Sequence, residues 1–198
     1  MSDHRMVVAS ANVEVRVVDA EDETKVRHQF KASNALGVGL VQSLVSRNAS
    51  YTTTAPIRVG MSGNTVPLTT SLVRPVDLTA WLASFWGGCW SSIFAYRDIN
   101  AAGTGDSNGI ATWQYSSTDV PPWFQITAKF LPPYGNGSVC KTLWWGYNGY
   151  ISTADAFNNC TAVYVMNSNE YFTKTAQDVV YIIWRVSINC TGRTNNAF

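Results

Sequence analysis

From Asp178 to Ile188 the chain reads Asp-Val-Val-Tyr-Ile-Ile-Trp-Arg-Val-Ser-Ile, and this stretch constrains the fold more than any other. Side chains alternate across a β-strand with a period of two. One face therefore carries Val180, Ile182, Trp184, Val186 and Ile188, apolar without a break. The opposite face carries Val179, Tyr181, Ile183, Arg185 and Ser187, apolar at first and polar at the end. At about 3.3 Å per residue such a strand is roughly 36 Å long. A face that is apolar over that length must be covered, which predicts a central strand of a sheet packed against a second layer.

The rest of the chain agrees with a β protein. Val13, Val15 and Val17 alternate with Glu14 and Arg16, as in a strand with one wet face. The acidic run Asp19–Glu23 reads as the turn of a hairpin that returns through residues 24–30. Ile57–Gly60 is a short strand. Phe124, Ile126, Ala128 and Phe130 alternate with Gln125, Thr127 and Lys129 in another. Pro132-Pro133-Tyr134-Gly135-Asn136-Gly137 is a turn signal, followed by strands over 138–145 and 160–166. One helix is expected over 34–48. Ser33 or Asn34 can cap it, and Leu36, Leu40, Val41, Leu44 and Val45 fall on one helical face. The expected fold is mainly β, an antiparallel β-sandwich of jelly-roll or immunoglobulin-like type with one α-helix packed on it. A single domain over residues 1–198 is expected, with a Trp-rich insert or loop region over 81–120.

Charge and chemistry-bearing residues narrow the function. Charged residues make up 14% of the chain against about 25% in an average domain, and the net charge is +1. That balance predicts neither a nucleic-acid nor an anionic-membrane partner. No apolar run approaches the roughly 20 residues of a membrane-spanning helix, and the polar start Met1-Ser2-Asp3-His4-Arg5 does not read as a signal peptide. His4 and His28 are the two histidines, both near the acidic hairpin. No nucleophile elbow, phosphate loop or His-Glu-x-x-His motif is present. Cys89, Cys140, Cys160 and Cys190 lie too far apart for a Cys-x-x-Cys zinc pair and read as buried thiols. Asp98-Ile99-Asn100 and Asp106-Ser107-Asn108-Gly109 read as Asx turns, since no twelve-residue calcium loop closed by Glu is present. The expectation is no catalytic residue, no cofactor and no metal. The residues singled out for recognition are aromatic. Trp113, Tyr115, Trp123, Trp144, Trp145, Tyr147 and Tyr150 are candidates for the core or a subunit interface or, alternatively, for a glycan-stacking platform, which Trp144, Trp145, Tyr147 and Tyr150 would form.

The order of motifs resembles that of a broad set of tailed-bacteriophage virion proteins. The matching pieces are Asn34-Ala35-Leu36-Gly37, Ile57–Gly63, Leu72-Val73-Arg74, Phe124–Phe130, Phe172-Thr173-Lys174-Thr175 and Val180–Ile188. Two places depart from the pattern: Lys141-Thr142 stands where a Glu is common, and the aromatic-dense stretch Trp81–Tyr96 is unusual. The resemblance implies a non-enzymatic structural protein located in the virion. It implies a capsid decoration (cement) subunit first and a tail, neck or fibre-base component as the alternative; a glycan-binding receptor module is the separate reading that the aromatic residues 144–150 offer. The implied partners are major capsid or tail proteins and further copies of the chain.

Overall fold

A computed structural model describes residues 5–33, 57–63, 93–99, 109–147 and 160–191. These residues are mainly β. The strands are β1 (Arg5–Asp19), β2 (Val26–Ser33), β3 (Ile57–Ser62), β4 (Ile93–Ile99), β5 (Gly109–Ser116), β6 (Trp123–Phe130), β7 (Val139–Cys140), β8 (Thr142–Tyr147), β9 (Cys160–Val165), β10 (Phe172–Thr173) and β11 (Asp178–Thr191). A short 3-10 turn spans Ser168–Glu170. The helix expected over 34–48 lies outside the described residues, as does the Trp-rich stretch apart from 93–99 and 109–120.

All pairings are antiparallel. One sheet has five strands in the order β2-β1-β11-β6-β5, a second has four in the order β4-β3-β8-β9, and β10 pairs with β7. The stretch that predicted a central strand is β11, flanked by β1 and β6. Its apolar face is built row by row across the sheet. Val180 faces Val17 and Phe130, Ile182 faces Val15 and Ala128, and Trp184 faces Val13 and Ile126. Each of these residues is buried. They belong to one apolar cluster that also takes in Val59 and Met61 of β3, Ala95 of β4 and Leu143 and Trp145 of β8, so the two larger sheets share a core. Full burial of side chains of this size stabilises by about 1.5–3 kcal/mol each before ordering costs.

The expected strand over 138–145 is two strands. The chain leaves β7 and enters β8 at Lys141, whose N–H donates to Ser62 O at 2.9 Å and whose carbonyl accepts from Met166 N at 3.0 Å. Those bonds satisfy the backbone while it changes from one sheet to the other. Asp98, expected in an Asx turn, lies instead in β4, in register with Arg58 of β3. No helix among the described residues is long and apolar enough to cross a membrane.

The end of the five-stranded sheet that carries the β1–β2 turn is tied by side chains. At the β1–β2 turn, Asp19 accepts from Glu21 N at 2.9 Å and Asp22 accepts from Thr24 N at 3.1 Å. The carboxylate of Asp178, buried at the start of β11, accepts from Arg27 Nη1 at 3.0 Å and from Thr175 N at 2.7 Å. Arg27 also reaches Asp19, so one guanidinium joins β1, β2 and β11 at this end of the sheet.

Candidate interaction surface

Of the aromatic residues singled out from sequence, Tyr115 is exposed and Trp123 partly buried beside the β5–β6 connection, the Trp113 side chain lies outside the described residues, and Trp144 and Trp145 form no exposed platform. Trp144 and Trp145 are each only 2% exposed. They lie on β8, between β3 and β9, and so point to opposite faces of an interior strand. Trp145 joins the shared core and meets Phe124 edge-on, with ring centroids 6.0 Å apart. Trp144 lies across its register partner Gly60, where an added Cβ would fall 2.3 Å from the indole ring. A stacking platform needs an open ring face, and these two rings are covered. The Tyr147 side chain and the whole of Tyr150 lie outside the described residues.

The other chemistry-bearing residues that are described are accounted for locally, while Cys89, Asp106–Asn108 and the side chains of Cys160 and Cys190 lie outside the described residues. His28 does not stand against the acidic hairpin. Its ring packs against Phe30 and Phe172, with centroids 5.8 and 5.9 Å away, and its Nε2 is 3.1 Å from Glu170 O. His4 lies outside the described residues. Cys140 is a free thiol whose burial pushes its pKa well up, which disfavours the nucleophilic thiolate. The Tyr164 hydroxyl donates to both oxygens of Glu170, at 2.9 and 2.7 Å, and burial followed by that bond raises its pKa. Among the described residues no group of three or more His, Cys, Asp or Glu could hold a metal ion.

What the fold does present is the connection between β5 and β6. Val120 at its tip is 96% exposed, and the Val120–Pro121 peptide is cis. Pro121 and Pro122 remove two backbone donors and fix two φ angles, so the tip has few conformations to lose on binding. The base of the tip is held by polar bonds. Asp119 N donates to Ser116 Oγ at 3.1 Å, and Trp123 Nε1 donates to the Asp119 carboxylate. The indole bond first, then Ser116 and the Arg185 charge, hold the Asp119 carboxyl below the usual range. Arg185 of β11 lies over the Trp123 ring, 4.0 Å from its centroid. Tyr115, 63% exposed, stands at the end of β5 in register with Phe124.

The polar face of the same sheet continues this pattern. Tyr181 lies between Arg16, 5.1 Å from the ring centroid, and Lys129, 5.3 Å away. Its hydroxyl donates to Glu23, which also accepts from Lys129 Nζ at 2.7 Å. Cations over aromatic rings leave broad, amphipathic side chains facing outward in fixed positions. A signal for the tip was present in the sequence, in the Val-Pro-Pro-Trp run at 120–123, but exposure at a turn cannot be read from composition alone. Comparison of the chain with protein-family models, with curated proteins and with solved structures finds no match.

Proposed function

We propose that this chain is a non-enzymatic structural protein of a virion, with capsid decoration as the leading role and a tail, neck or fibre-base position as the second. In this reading the two larger sheets form a β-sandwich that serves as a rigid support. Its contacts are made by protein surfaces, through the β5–β6 tip and the polar face beside it. The observation that carries the reading is Val120, an aliphatic side chain 96% exposed on a doubly prolyl tip whose base is pinned by Asp119, Trp123 and Arg185. A preorganised apolar knob loses little entropy when a neighbour covers it. The resemblance of the motif order to tailed-phage virion proteins supplies the setting.

The test is Val120→Asp. At so exposed a position it should change stability by less than about 0.5 kcal/mol. Association with phage particles, read by co-sedimentation, should weaken by about tenfold or more, as for a central contact residue. Light scattering on the pure protein should show self-association in the unaltered chain. A protein that stays monomeric and ignores particles, or a Val120→Asp variant that binds as well as the original, would sink this reading.

A further inference from the structure

Lys174 lies between β10 and β11 and is completely buried. Its Nζ donates to Pro132 O at 3.0 Å, to Asn136 Oδ1 at 2.8 Å and to Thr175 O at 3.5 Å. Its own carbonyl accepts from Gly137 N at 2.9 Å. One residue thus holds both the side-chain amide of Asn136 and the backbone nitrogen that follows it.

Those are the two groups that react when an Asn-Gly pair deamidates. The Gly137 nitrogen gives up its proton and bonds to Asn136 Cγ. The Cγ–Nδ2 bond breaks, and Nδ2 leaves as ammonia. Water then opens the resulting five-membered imide to aspartate or isoaspartate. The net change is amide plus water to carboxylic acid plus ammonia. Local conditions otherwise favour it. Asn136 is exposed, Gly135 and Gly137 have φ of 76° and 82°, and a side chain added at Gly137 would meet nothing within 4 Å. Only a glycine leaves the nitrogen so open to approach.

We propose that Asn136–Gly137 is a deamidation site gated by Lys174. In the closed state the ammonium fixes the electrophile and the Lys174 carbonyl occupies the nucleophile's N–H, so ring closure waits for a local opening of this corner. Lys174 acts as a positioning residue, and a deamidated Asn136 records that the corner has opened. The acidic product stays at the same corner as a carboxylate beside a buried cation, where the bond to Nζ becomes charge-assisted. This inference stands apart from the proposed virion role and needs no partner.

The experiment is timed peptide mapping that separates Asn, Asp and isoaspartate at position 136, on folded protein and on the same chain unfolded in urea. Asn108-Gly109 and Asn148-Gly149 serve as internal standards in the unfolded chain, where all three pairs should react alike. In folded protein Asn136 should react at least about tenfold more slowly than when unfolded, the factor set by an opening free energy of about 1.4 kcal/mol. Lys174→Met, held at a temperature where circular dichroism shows it folded, should lose most of that protection. Equal folded and unfolded rates at Asn136 would overturn the proposal even if Lys174→Met does not fold. A folded Lys174→Met that retains full protection would overturn it as well.

Discussion

Trp184 and Arg185 are neighbours in β11, and they show how differently the two faces of one strand are used. Trp184 is 1% exposed, faces Val13 and Ile126, and belongs to the core shared by the two larger sheets. Its Nε1 has no hydrogen-bond partner among the described residues. The strand tolerates an unsatisfied indole there because the ring buries so much apolar area. Arg185 points the other way, is exposed, and lies 4.0 Å from the Trp123 centroid. The same aromatic residue type is a filler on one face and a seat for a cation on the other. Energy for folding is concentrated inside, and the outer face holds side chains in position at small cost to stability.

Five substitutions, one of them used only in combination, break or sharpen that contrast. Trp184→Ala should cost about 3–5 kcal/mol in urea unfolding, because it removes a fully buried ring and leaves a cavity. A loss below about 1 kcal/mol would mean that the face is not a core. Gly60→Ala should cost about 1–3 kcal/mol through overpacking against Trp144, and combining it with Trp144→Leu should recover part of the loss, since the two residues touch. Arg185→Ala should cost only about 0.5–1 kcal/mol, the size of an exposed cation–aromatic contact. A larger loss would show that the outer face also supports the fold.

The smallest effect is a pH dependence on the outer face. The Lys129 hydrogen bond first, and the Tyr181 hydroxyl second, hold the Glu23 carboxyl below its ordinary value of 4.5. A carboxyl with a depressed folded pKa contributes stability that is fully present above the unfolded value. That contribution is lost as pH falls through the folded one. Glu23→Gln should therefore be slightly less stable at neutral pH and should lose less stability below about pH 4.5, as read from urea midpoints between about pH 7 and pH 3. An unchanged slope on the acid side would show that the Lys129–Glu23–Tyr181 cluster is energetically silent.

Much of the β framework was legible in the residues alone. The alternation in 178–188 and 124–130 identified strands and their buried faces, and the acidic run at 19–23 identified the β1–β2 turn. The candidate surface was far less legible. Trp144 and Trp145 look like equal candidates in a list of aromatics, yet the structure covers both, one in the shared core and one across Gly60. Nothing in Phe172-Thr173-Lys174-Thr175 marks Lys174 as buried, yet it lies on the oxygens of a loop some forty residues earlier in the chain.

What the sequence determined by itself is the two-residue rhythm that makes the chain a sheet protein and separates one face of each strand from the other, because that rhythm depends only on backbone geometry. What the tertiary structure decided is which strands are neighbours, where the chain changes sheet at Lys141, and which side chains end up covered or exposed. Those outcomes depend on partners distant in sequence. A side chain's solvent exposure depends on what packs on it, and the local rhythm says only which face of a strand is suited to be covered, not which neighbour covers it.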